Sequence, residues 1–147
     1  NPHARGTLLG MTRATGPAHI ARAALEAVCY QSAELLEAMA DDVGKDVTTL
    51  RVDGGMARND WLTQYLADIT KTPVERPALL ETTALGAARL AGLQAGVFND
   101  LADLQDAWVA DQAFIPSMDE SKRQSRLSTW RRAVKVTIDF AKDSGKG

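Results

Sequence analysis

Between Ala21 and Met39 the apolar positions step by four and three: Ala21, Leu25, Val28, Leu35 and Met39, with Ser32 in the same stripe. That spacing is helical, because residues three and four apart share a face. Pro17 stands where a first helical residue would, with Thr15 or Gly16 as N-cap, and Gly44 stands where the helix would stop. The pattern predicts a helix of about 26 residues, long enough to lie with one side across a sheet. Arg5–Thr12 (RGTLLGMT) and Thr48–Asp53 read instead as strands. Pro73–Arg76 reads as a short third strand, placed near an edge because it begins with proline. Helices are predicted again over Ala57–Thr70 and over Glu81–Ala95, the latter rich in small residues. A last helix starts within Pro116–Ser121 and runs to about Ala141, with Trp130, Val134 and Ile138 four apart. Lys142–Gly147 is expected to be a frayed polar tail.

After the first strand the order is helix, strand, helix, strand, helix, which predicts an α/β layer with partly parallel strands. Three strands make a thin sheet, and the chain opens on Asn1 rather than Met. The sheet is therefore expected to continue on the amino-terminal side, and its missing strands to leave an edge that a second copy could pair with.

Composition adds limits. At 147 residues the chain is expected to be one domain that buries roughly 68–70% of its unfolded surface. Seventeen Lys and Arg against nineteen Asp and Glu leave a net charge of −2. Neither nucleic acid nor an anionic membrane finds an electrostatic footing there, so neither is an expected partner. Cys29 is the sole cysteine, which excludes an intrachain disulfide and a cysteine-based zinc site and points to a cytoplasmic setting. No apolar run approaches a membrane span.

Candidate chemistry gathers where the strand at Leu50–Asp53 meets Gly54 and Gly55 and a helix resumes almost at once. Ligands of open α/β sheets sit beyond the carboxyl ends of strands. Lacking Cβ, Gly54 and Gly55 can take positive φ and leave bare backbone against which a planar group can rest. Asn59, read in the first turn of the next helix, carries a carboxamide that both donates and accepts. Taken alone, the glycine pair is better explained by a plain strand-to-helix turn. Neither the G-x-x-x-x-G-K-[ST] loop nor G-x-G-x-x-G occurs.

A wider pattern favours the ligand. Gly6–Glu26 (GTLLGMTRATGPAHIARAALE) resembles the second signature of the FGGY carbohydrate kinases, with Gly6, Gly10, His19 and Ala23–Glu26 on the signature positions. LRVDGGMARNDWLTQYLADIT, PVERP and ETTALGAARLAGLQAGVF then follow in that family's order. The wording of RVDGG and ERPALLETTALGAA is similar to the glycerol-phosphorylating branch rather than to xylulose or gluconate kinases. The likeness is close over about residues 1–110 and looser in the last helix.

The resemblance implies an α/β fold of the actin-like ATPase (ribonuclease H-like) kind, in a two-domain kinase with ATP between the domains. This chain would be the carboxyl-terminal, nucleotide-side segment, a partial sheet flanked by helices, with about residues 110–147 as its extension and last helix. By position, Gly55 and Asn59 would contact the adenosine part of ATP or ADP, and Gly54 would shape the turn. The helix around Gly86 resembles the one through which the two domains hinge. The reaction implied is transfer of the γ-phosphoryl group of ATP to glycerol, giving glycerol 3-phosphate, with Mg²⁺ and in a homo-oligomer. The base aspartate, the glycerol contacts and most Mg²⁺ and phosphate contacts of the family would lie upstream of Asn1. No catalytic or metal residue is therefore expected here, and the chain alone is expected to be inactive. The alternatives are an FGGY kinase for another polyol or sugar, and a non-catalytic actin-like nucleotide-binding module.

Other residues invite roles that simpler explanations cover. Asp53 is expected to orient its loop rather than to act as a base. His19 is expected to serve a helix start, and His3 has no partners for a metal site. Cys29, mid-helix, reads as a buried small hydrophobe rather than a nucleophile. Trp61 lies two residues past Asn59, which turns it away from that side chain and toward packing. Arg131, Arg132 and Lys135 suit the negative end of a helix dipole.

Overall fold

Pro17 and Gly44 bound the first helix, α1 (Pro17–Val43), as the sequence indicates. Gly16 caps it in an extended conformation, and Gly44 closes it at φ 69°, its N–H donating to Ala40 O at 2.8 Å. The computed structural model describes residues 2–101, 103–104 and 109–144. Along the chain follow β1 (Leu50–Arg51), a 3₁₀ turn (Gly55–Arg58), α2 (Asp60–Thr70), β2 (Val74–Pro77), α3 (Thr82–Gln94), β3 (Ala110–Phe114) and α4 (Glu120–Ser144).

The sheet runs β1-β2-β3, with β1 parallel to β2 and β3 antiparallel to it. β2 is thus central, not the edge strand its proline suggested. Pro73 lies just before the ladder and contributes only its carbonyl, to Leu50 N at 2.8 Å. Pro77 falls where the register slips between Arg76 and Pro77, so its missing N–H interrupts little. β3 was not foreseen, because Asp111 and Gln112 break the apolar alternation and only Phe114 is buried. Arg5–Thr12, expected as a strand, joins no ladder among the described residues. Leu8, Leu9 and Met11 are exposed there: apolar composition alone makes no strand without a neighbouring backbone to bond.

α2 holds the layers together. Its Leu62, Tyr65 and Ile69 pack with Cys29, Tyr30 and Ala33 of α1 and Leu127 of α4. Its Ala67 packs with Val74 and Phe114 of the sheet. α1 therefore lies on helices rather than across the sheet, and by a neighbouring face. The stripe read from the sequence is open, with Val28 41%, Leu35 62% and Met39 48% exposed. Apolar residues occupy both faces of α1, and the face with small Cys29 and Ala33 is the one that admits α2.

α3 buries none of its residues. A Cβ on Gly86 would meet nothing within 4 Å, so the close packing expected there is absent among the described residues. Gly92 is the crowded one, where a Cβ would fall 2.8 Å from the Phe98 ring. α4 is tied to α2 ahead of its first turn, where Asp68 Oδ1 accepts from Ser117 N at 2.7 Å and Met118 N at 3.1 Å. It continues past Ala141 to Ser144, so the start of the expected frayed tail is helical, and residues 145–147 lie outside the described ones.

Candidate functional site

The parallel pair β1–β2 ends at a turn that the two glycines shape differently. Gly54 sits at φ 80°, ψ 175°, a conformation that is essentially glycine's alone. Its N–H donates to Leu80 O at 2.9 Å, and its carbonyl accepts from Ala57 N at 3.1 Å. Gly55 opens the 3₁₀ turn, and a Cβ built there would meet nothing within 4 Å. The chain needs glycine at Gly54 for its own path. At Gly55 it does not.

Asn59 stands between the turn and α2 and is the N-cap of α2, just outside the helix rather than in its first turn. Its Oδ1 accepts from Leu62 N at 3.2 Å, and its carbonyl accepts from Thr63 N at 3.0 Å. The helix start thus uses one lone pair of the carboxamide oxygen, and the exposed side chain keeps its Nδ2 donors for a ligand acceptor such as a ring nitrogen or a ribose oxygen.

Behind the turn are two residues that sequence reasoning missed. Thr63, almost fully buried, donates through Oγ1 to Asn59 O at 3.1 Å and approaches Ala57 O at 3.3 Å. Arg76, whose side chain is 12% exposed, reaches from β2 with Nη1 to Ala57 O at 2.5 Å and Asp60 Oδ1 at 2.8 Å. Its Nη2 bonds Gln112 Oε1 of β3, and its guanidinium lies 5.2 Å from the centroid of Phe114. The available signal was a lone arginine in a short strand between Val74 and Pro77, since a charge buried there must find partners. Beside this assembly a cavity of about 250 Å³ opens between Pro77, Leu79, Thr82, Leu85 and Gly86. The missing side chain of Gly86 widens it.

The remaining candidates are placed elsewhere. Asp53 is exposed and makes no side-chain hydrogen bond among the described residues, so it does not orient the loop as expected. His19 serves the helix start, its Nδ1 accepting from Gly16 N at 3.1 Å. Cys29 is buried, and desolvation, with Glu26 adding to it, pushes its thiol up to about 12, which makes it a packing residue rather than a nucleophile. Trp61 stacks on Tyr65 with ring centroids 5.1 Å apart, under the Arg22 guanidinium. Tyr65 in turn shares a 2.7 Å hydrogen bond with Tyr30, and Arg126 donates to it at 3.1 Å, a polar seam joining α1, α2 and α4. Arg131 pairs with Glu37, and Lys135 with Asp139, on the solvent side.

The fold and the turn have counterparts. The C-terminal domain of the FGGY family of carbohydrate kinases matches residues 1–95. The chain belongs to this family. It is 54% identical over 141 residues to a glycerol kinase of Dechloromonas aromatica, covering 96% of this chain and 28% of that protein. It is 55% identical over 141 residues to one of Rhizobium meliloti, with 94% and 28% covered. The chain thus spans little more than a quarter of the length of these relatives. Among solved structures, a Plasmodium falciparum glycerol kinase with ADP superposes at a TM-score of 0.76 and 36% identity, over 92% of this chain and 27% of that one. A xylulose kinase of Rhodospirillum rubrum superposes at 0.67 and 28% identity, over 94% and 28%. The α/β architecture is that of this actin-like group of sugar kinases, and the Arg5–Thr12 stretch and Gly54–Asn59 both fall inside the FGGY match.

Proposed function

We propose that this chain is the carboxyl-terminal, nucleotide-side segment of a two-domain ATP:glycerol phosphotransferase, with about residues 110–147 as its extension and last helix. Its part in the reaction is to hold the adenosine end of ATP and ADP on the turn at Gly54, Gly55 and Asn59. The observation that carries this is Gly55: no backbone or packing demand of the chain explains glycine there, whereas a nucleoside resting on the turn would need that space. Asn59 Nδ2 then donates to the base or ribose. The names of relatives 54–55% identical over this stretch support glycerol over other polyols as acceptor.

Phosphoryl transfer also demands a base, a metal and a held acceptor along an in-line path. Mg²⁺ would be held mainly by the part of such kinases that this chain does not span, with one or two carboxylates and the substrate phosphates as its usual ligands. Glycerol contacts and the base are placed in the part of such kinases that this chain does not span. Titration calorimetry of the chain with ADP tests the assignment. Binding is expected to weaken in Gly55→Val, which fills the nucleoside's place, and in Asn59→Ala, which removes a hydrogen bond worth about 0.5–1.5 kcal/mol. Equal affinity in both variants and in the parent would refute it. With glycerol, ATP and Mg²⁺ the chain alone is expected to release no ADP, since lost positioning removes many orders of magnitude of rate.

The setting we assign is the cytoplasm, in keeping with one buried free thiol and no helix among the described residues long and apolar enough to cross a membrane. We further assign association between copies, supported by the Arg5–Thr12 segment, which joins no ladder among the described residues, and by the place of β1 at a sheet edge.

A further inference from the structure

We propose that Arg76 is the positioning residue of the nucleoside turn, a role that rests on the nucleotide reading above. Four elements meet at its guanidinium. It leaves the middle of β2, spans the turn carbonyl of Ala57 and the first residue of α2, Asp60, and is backed by Gln112 and the Phe114 ring of β3. A planar fork with fixed donor directions can satisfy these acceptors together, which a lysine ammonium cannot. At the two ends of the 3₁₀ turn Ala57 N donates to Gly54 O and Asn59 N to Met56 O, each at 3.1 Å. Bonds of this i→i+3 kind have poorer geometry than those of an α-helix and hold a short turn weakly. The Ala57 carbonyl is outside these bonds and accepts from Arg76 Nη1 at 2.5 Å and from Thr63 Oγ1 at 3.3 Å. The bonds of the guanidinium among the described residues go to the Ala57 carbonyl, Asp60 and Gln112, and none goes to Gly54, Gly55 or Asn59. It acts by fixing the distance between β2 and the start of α2, and so the place of Gly55 and of the Asn59 carboxamide.

The mechanism has a quantitative form. If freeing the turn leaves it in its binding arrangement about a tenth of the time, apparent affinity falls about tenfold with no contact to the ligand lost. The test uses the whole chain in the Arg76→Met and Arg76→Lys variants, with Leu127→Val as a core control far from the turn. ADP affinity is measured by calorimetry, and backbone amide exchange is followed without nucleotide. Arg76→Met is expected to weaken ADP about tenfold and to speed exchange at Ala57 and Asn59 while Ile69 stays protected. Arg76→Lys is expected to recover part of both effects. Leu127→Val is expected to lower the melting temperature while leaving ADP affinity in place. Unchanged exchange at Ala57 and Asn59 in Arg76→Met would overturn the positioning role. So would an equal loss of ADP affinity in Leu127→Val, which would reduce Arg76 to a general stabiliser. If the parent chain binds no ADP, the nucleotide reading fails, and the exchange data still decide whether Arg76 holds the turn.

Discussion

At φ 80° and ψ 175° the backbone of Gly54 occupies a region where any Cβ is strained, whereas its neighbour Gly55 has open space around it. The two positions therefore separate stability from binding. Gly54→Ala is expected to cost about 1–3 kcal/mol in urea unfolding, even though nothing stands within 4 Å of the added methyl group. Gly55→Ala is expected to leave unfolding nearly unchanged and to affect ADP alone. A Gly54→Ala protein as stable as the parent would show that the turn relaxes without penalty. Both glycines and Asn59 were legible in the sequence, because a strand-to-helix junction limits which residues can stand there. The function of the Asn59 acceptor was not legible. Whether Oδ1 faces a ligand or Leu62 N depends on where the helix begins, and that moved by three residues, from Ala57 to Asp60. Arg76 was hidden for a different reason: its acceptor is the carbonyl of Ala57, 19 residues away, and no local pattern encodes it.

The helix ends marked by proline and glycine were the best read, since those residues act on their own backbone. Pro17 and Gly44 delimit α1 to within a residue of the prediction. Strands were read less well, because a strand exists only in relation to another. Arg5–Thr12 has the composition and no partner, while Ala110–Phe114 has partners in β2 and little composition. The packed face of α1 was misread because both faces are apolar. The face that is covered carries Cys29, and the seam between α1 and α2 gives that thiol a measurable consequence. Its value of about 12 in the fold stands above the 9.0 of an unburied thiol, so the neutral form is favoured by folding. The stabilisation is complete below the lower value and is lost as pH rises through the higher one, because only the unfolded chain then releases the proton. Burial and the bond to Tyr30 raise the Tyr65 hydroxyl as well, which acts in the same direction. Urea unfolding from about pH 8 to about pH 11 is expected to show falling stability, with a shallower fall in Cys29→Ala. A fall of the same steepness in that variant would remove Cys29 from the account.

For the molecule as a whole, β1 and β3 are the edges of the sheet, and the outer backbone groups of an edge strand can pair with another chain. Light scattering is expected to show a mass that grows with concentration. Leu8→Pro, which deletes a backbone donor in the segment outside the sheet, is expected to reduce that growth. A single monomeric mass at every concentration would argue against pairing by this route. The expectation that the sheet was thin came directly from counting strands, but its order could not be counted: β3 closes the side where an edge was expected.

α2 contributes to both apolar clusters, one shared with α1 and α4 and one with the sheet. A helix common to two interiors couples their melting, so neither can loosen without the other. The same helix is capped by Asn59. A nucleotide seated on that cap at a hundredfold excess over its dissociation constant would add about 2.7 kcal/mol to the folded state. That increment would be felt as far away as Leu127 on α4, so a single upward-moving melt becomes the chain's own indicator of occupancy.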